Sequence, residues 1–127
     1  MTSAKHYECK VTVVVDFLSD QSDLASNRYA FAYHIKITNT GSVPAQLISR
    51  HWIITEGGKN KQEVKGLGVI GAQPLLAPNQ SFEYTSGTML NSPNGEMRGT
   101  YQMVADDGTQ FEVEIPTFVL SMPRVLH

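Results

Sequence analysis

The chain has little of what small-domain chemistry is usually built from. Among its 127 residues there is one cysteine, Cys9, so no intrachain disulfide can form and a cysteine-rich zinc site is excluded. Such usage fits a reducing compartment. Charge is sparse too: ten Lys and Arg against twelve Asp and Glu give a formal net charge of -2 and a pI near 6.0. No global positive field exists to hold a polyanion, so nucleic acid is not an expected partner. No stretch of the chain approaches the 18 or more apolar residues of a membrane span, and Met1–Glu8 lacks the apolar core of a signal peptide, which together predict a soluble, cytoplasmic protein without a membrane span. The histidines His6, His34, His51 and His127 never fall in an H-x-x-x-H or H-E-x-x-H spacing. No transition-metal motif is present and no cofactor is expected. Missing as well is any long i, i+3, i+4, i+7 apolar stripe, which removes substantial helices.

What the chain does have is period-2 alternation in short blocks. With hydrophobic residues at 41%, the chain can bury one core, and one domain over 1–127 is expected. From Tyr7 to Leu18, Val11, Val13, Val15 and Phe17 oppose Lys10, Thr12, Val14 and Asp16. Arg28 to Thr38 sets Tyr29, Phe31, Tyr33, Ile35 and Ile37 against Ala30, Ala32, His34 and Lys36, which predicts an odd-numbered core face. A third strand spans Gln46 to Thr55. Gly57-Gly58 ends it, and the segment to Pro78 reads as mostly loop with a short strand near Gln62 to Lys65 at most. Leu75-Leu76-Ala77-Pro78 reads as loop as well. Strand character returns at Ser81–Ser86, Met97–Val104 and Gln110–Ile115, with Asn94-Gly95 and Asp107-Gly108 as tight turns and a hairpin between the last two strands. The apolar tail from Pro116, with Phe118, Val119, Leu120, Val125 and Leu126, is expected to pack as a final strand or extended segment. About seven such strands favour an all-β, two-sheet sandwich, with a closed barrel as the alternative.

The most conspicuous local pattern is Gly66-Leu67-Gly68-Val69-Ile70-Gly71. It has the spacing of a dinucleotide fingerprint, which works only where the loop opens a helix; Pro74 and Pro78 follow too soon for one. A weaker form needs no helix, because successive glycines can leave amides free to cradle an anion. Lys65 flanks the loop, and Arg50 and His51 lie one strand earlier. The candidate anion site is therefore Gly66, Gly68, Gly71, Lys65, Arg50 and His51, with phosphate or pyrophosphate as ligand. The plainer alternative is that the glycines let a long connection cross the sandwich edge. Within the third strand, alternation groups Arg50 with Ile48, Trp52 and Ile54, and His51 with Leu47 and Ile53; Trp52 is expected to anchor the core. Asp106-Asp107 reads as a turn that satisfies local amides, and Glu112 and Glu114 as solvated carboxylates. Cys9 reads as a small packed residue. Nothing resembles a nucleophile elbow, and a Mg²⁺-dependent diphosphate hydrolase would need a carboxylate cluster that is not there. The chain reads as a non-enzyme.

Several segments carry a resemblance: Arg28-Tyr29-Ala30-Phe31-Ala32-Tyr33, Leu47 through Thr55, Gly66 to Gly71 running into Gln73-Pro74, Phe82 through Gly87, and Pro123-Arg124-Val125-Leu126-His127. In this order and spacing the chain closely resembles the bacterial ApaG family over nearly its whole length. The resemblance implies an immunoglobulin-like or fibronectin type III-like sandwich and an association with cobalt and magnesium efflux or resistance. Related domains resemble non-catalytic modules of eukaryotic F-box and polymerase-interacting proteins, which implies a protein-interaction role with an unidentified partner. The family's glycine pattern falls here on Gly66, Gly68 and Gly71 and implies a nucleotide or pyrophosphate ligand. Edge strands of such a sandwich also make a homo-oligomer an expectation.

Overall fold

The structure, a computed structural model, describes residues 4–57 and 60–123. Its strands are β1 (Cys9–Phe17), β2 (Tyr29–Asn39), β3 (Ala45–Glu56), β4 (Asn60–Leu67), β5 (Leu75–Leu76), β6 (Ser81–Leu90), β7 (Asn94–Ala105) and β8 (Gln110–Ser121). One sheet has the order β1-β2-β6, the other β4-β3-β7-β8 with β5 beside β3. This is the expected two-sheet β-sandwich, immunoglobulin-like or fibronectin type III-like in plan. No helix among the described residues is long and apolar enough to cross a membrane.

Alternation decides which faces meet. On β2 the odd residues Phe31, Ile35 and Ile37 are completely buried, and they pack against Leu47, Trp52 and Met103 of the opposite sheet in one cluster. Trp52 stands at its centre. Its ring lies 5.6 Å from Tyr33, 6.3 Å from Tyr101 and 5.8 Å from Phe118, all edge-on, the geometry that aromatic quadrupoles favour. The hydroxyls of Tyr84 and Tyr101 meet across the two sheets. Desolvation pushes Tyr84 up to about 12 and Tyr101 higher still, so both stay neutral and each satisfies the other's polar atom.

Five expectations change. The stretch read as mostly loop holds the eight-residue β4, paired with β3 from Ser49↔Leu67 to Glu56↔Asn60. Its alternation is faint because Lys61, Glu63 and Lys65 face solvent while only Val64 packs on the core. Leu75-Leu76 is a two-residue strand on Ala45 and Gln46. Asn94-Gly95 starts β7 rather than turning; the bend lies at residues 91–93. Gly95 is there for space, since a Cβ would come within 2.7 Å of Leu90 and 2.9 Å of the Thr55 carbonyl. Strand β8 passes through Pro116 without a break, because two residues, Pro116 and Thr117, oppose Arg98 alone between the pairs Gly99↔Ile115 and Met97↔Phe118. An edge bulge is where a sheet tolerates proline. Finally, Leu47 joins Trp52 in the core instead of the His51 face. The register slips between Leu47↔Met103 and Ser49↔Gln102, so Ile48 is an extra residue and the parity reverses across it. Gly58, Arg124, Val125, Leu126 and His127, which entered the sequence reading, lie outside the described residues.

Candidate functional site

Of the candidate anion residues, Arg50, His51, Lys65 and Gly66 line one concavity, and Gly68 and Gly71 do not. Following the parity set by the Ile48 bulge, Arg50 turns to the inner face with Trp52 and Ile54, while His51 and Lys65, a cross-strand pair, face outward. His51 lies 3.4 Å from Glu63. His51, Lys65, Gly66 and Glu112 line a shallow outer concavity of about 490 Å³ that also touches Arg50. Gly66 is where the inner and outer groups meet, for a Cβ there would lie 2.9 Å from both Arg50 Nη atoms.

The glycine loop is a tight hairpin. Val69 N–H donates to Ala72 O (2.8 Å) and Ala72 N–H to Val69 O (2.9 Å), while Gly68 N–H donates to Ile48 O (2.8 Å). These three amides are therefore engaged within the chain. Gly68 has φ +63°, and a Cβ would meet the Ala72 carbonyl at 2.4 Å, so both conformation and space require glycine. At the tip Ile70 has φ 47°, a strained setting for a β-branched side chain, and it is largely exposed, as are Leu67 and Leu75. Arg50 Nη1 fastens the base of the hairpin by donating to Leu67 O (3.0 Å) and Gly68 O (2.7 Å).

A second feature was not visible in the sequence. Strand β6 pairs with β2 alone, leaving one edge open. On β2, Asn39 N–H donates to Gln80 O on the β6 side, while Ala30 O accepts from Leu18 N–H on the β1 side. Odd residues of β2 thus aim their backbone at β6, where their partners are Phe82, Tyr84, Ser86, Thr88 and Leu90. By the antiparallel pattern, the N–H and C=O groups of Glu83, Thr85, Gly87 and Met89 point away from the sheet. Edge strands are usually blunted by charge, proline or bulges. Among the others, β4 carries Lys61, Glu63 and Lys65, β8 carries Glu112, Glu114 and Pro116, and β1 carries Lys10 and Asp16. From Tyr84 to Leu90, β6 has no charge, no proline and an unbroken register with β2.

Between the open edges of β6 and β4 the sandwich gapes into a cleft of about 390 Å³. Ser86–Met89 form one wall, Gln62 and Val64 the other, and Tyr33, Arg50 and Trp52 lie between them. Arg50 is half-buried there, and among the described residues it has no carboxylate within ion-pair distance. No group of three or more His, Cys, Asp or Glu side chains suited to a metal ion occurs among the described residues. Cys9 is partly buried with its Sγ 3.5 Å from Met103 Sδ, and desolvation pushes its thiol up to about 11, which disfavours the reactive thiolate. At the far turn, Asp107 accepts from Tyr7 (2.6 Å), Lys5 (3.0 Å) and the Thr109 amide (3.0 Å). These bonds, Tyr7's first, hold its carboxyl well below the usual aspartate range and tie the N-terminal arm to the β7–β8 hairpin.

Fold and site together define a small immunoglobulin-like sandwich in which the edge of β6, uncharged from Tyr84 to Leu90, lies over a polar cleft. A family model described as the ApaG domain matches residues 19–105. Protein ApaG of Aromatoleum aromaticum is 58% identical over the full length of both chains, and Protein ApaG of Methylobacillus flagellatus is 61% identical over the same span. A crystal structure of an ApaA protein from Bordetella pertussis superposes with a TM-score of 0.91 at 55% identity, covering 97% of this chain and 100% of that one. The chain belongs to the ApaG family.

Proposed function

We propose that this protein is a non-catalytic binding module that takes up an extended segment of a partner protein by strand addition to β6. The observation that carries this reading is the asymmetry of its edges: β6 runs the seven residues Tyr84 to Leu90 without charge, proline or register break, against the five residues Val11 to Val15 on β1. Strand addition draws affinity from main-chain hydrogen bonds and specificity from pockets beneath alternate side chains, and the cleft beside Ser86–Met89 supplies such a pocket. The link to cobalt and magnesium that the resemblance implies would then run through the partner, with the cation as the partner's cargo.

The test is a pair of edge charges. Thr85 and Met89 are exposed and face outward, so Thr85→Lys with Met89→Lys leaves the core intact while blunting the edge. Capture of partners from lysate is expected to fall about tenfold or more in the double variant and to persist in a Val14→Lys control on β1. Equal capture by all three proteins would overturn the reading. So would the absence of added hydrogen-exchange protection at Glu83–Met89 when the captured partner is bound.

A second reading, a phosphate or pyrophosphate site at Gly66–Gly71, is favoured by one observation: Lys65, His51 and Gly66 share the outer concavity. Pyrophosphate titrated into labelled protein, with and without Mg²⁺, is then expected to give saturable amide shifts from Lys65 to Ala72 and at Arg50. A spectrum unmoved at millimolar ligand would rule it out.

A further inference from the structure

We propose that the segment docking on β6 carries an inward-facing carboxylate, which Arg50 receives. This inference rests on the strand-addition reading and names what the partner must bring. The argument starts from the charge inside the cleft. Its lining residues, among them Tyr33, Arg50, Gln62 and Ser86, include one cation and no carboxylate. Nη1 of Arg50 is fixed by the Leu67 and Gly68 carbonyls, whereas Nη2 and Nε make no hydrogen bond among the described residues. The guanidinium is thus held in place by one arm and offers donors on the other, a preorganised half of a charge-assisted fork.

A strand laid along Glu83–Met89 covers the cleft mouth and sends alternate side chains into it. Covering Arg50 strips the water that solvates it, and a cation taken out of water without a partner is strongly disfavoured. A neutral inward residue therefore loses that solvation, a basic one adds repulsion, and an acidic one restores the balance with hydrogen bonds as well. A second copy of this chain paired through its own β6 does not meet the requirement. Phe82, Tyr84, Ser86, Thr88 and Leu90 of its β6 face its own interior, and the strand's one carboxylate, Glu83, faces outward 3.0 Å from His34. The occupant is an extended segment of another protein with Asp, Glu or a terminal carboxylate at an inward position.

The experiment titrates the labelled full chain with a capped octapeptide that alternates threonine and valine around one central glutamate, and with its glutamine and lysine counterparts. The expected result is saturable shifts at Glu83–Met89 and at Arg50 Nε with the glutamate peptide. Affinity should be about tenfold or more weaker for glutamine and weaker again for lysine. That preference should collapse in Arg50→Gln and survive in Arg50→Lys. Because Arg50 also fastens the glycine hairpin, Arg50→Gln can perturb folding. Salt is the independent measure: between 0.05 and 0.5 M the glutamate peptide should lose affinity while the glutamine peptide holds its own, as charge screening requires (about 14 Å down to about 4 Å of Debye length). Equal binding of the glutamate and glutamine peptides at β6 would overturn the carboxylate and leave strand addition standing. If the glutamate peptide moves no β6 amide, or moves only the Leu67–Leu75 region, strand addition fails as well.

Discussion

Trp52→Ala is expected to lower stability by about 3–5 kcal/mol, a large part of the 5–15 kcal/mol that holds a typical domain folded. The residue is 3% exposed and touches the rings of Tyr33, Tyr101 and Phe118, which come from β2, β7 and β8. Removing it empties the space where both sheets meet, and three edge-on aromatic contacts disappear together. Collapse into that space is limited because Trp52 is held by pairs on both sides, Val64 and Gly99. Urea unfolding followed by far-UV dichroism checks this; fluorescence would not serve, since Trp52 is the chain's one tryptophan. Trp52→Phe keeps part of the ring contact and should fall between the two. An unchanged midpoint in the alanine variant would mean that the indole carries little of the core.

Gly99→Ala should do comparable damage by adding a single methyl group. A Cβ at Gly99 would sit 2.0 Å from the His51 carbonyl oxygen and 3.2 Å from Trp52 Cα. Both are backbone atoms, so no side chain can swing aside; β3 and β7 must separate next to Arg98, the residue opposite the Pro116–Thr117 bulge. Overpacking usually costs about 1–3 kcal/mol, and a clash between backbones belongs at the upper end of that range or beyond. Gly87→Ala is the matched control. Its added Cβ would meet the Phe31 carbonyl alone at 3.3 Å, so its midpoint should move little. Thermal melts of the two variants are expected to differ by several degrees; equal midpoints would show that β7 can relax away from β3.

The long strands could be read from the sequence wherever one face is apolar without interruption. Strand β2 is the clearest case, since Tyr29, Phe31, Tyr33, Ile35 and Ile37 keep the period that one buried face imposes. Reading failed where a physical cause broke that period. In β3 a bulge reverses parity, so one alternation cannot place both Leu47 and Trp52. In β4 the inward positions are Gln62, Val64 and Gly66, too little apolar surface to register as a strand. Glycines misled twice: Gly95 suggested a turn where packing demands the absence of a side chain, and Gly87 hid the continuation of β6. For the site, the sequence marked Arg50 and the glycines and set Arg50 and His51 on opposite faces of their strand, but could not tell that Arg50 enters a cleft beside β6. The open edge of β6 was invisible because an edge is a property of sheet order, not of any residue in the strand.

The extra residue in β3 also marks where that strand can change length. Deleting Ile48 would remove one partly buried side chain, and the shortened strand could then pair with β7 without a slip. Leu47 and Trp52 would stand four residues apart instead of five and would still share the inner face, now by plain alternation. Deleting Ile53 would do the reverse: Ile54 would follow Trp52 directly and turn away from the core. An alignment would score either deletion as one gap, yet the first keeps both faces of the strand and the second turns its end over. Length variation within Ala45–Glu56 should therefore be tolerated at the Ile48 bulge, and beyond Trp52 only in steps of two.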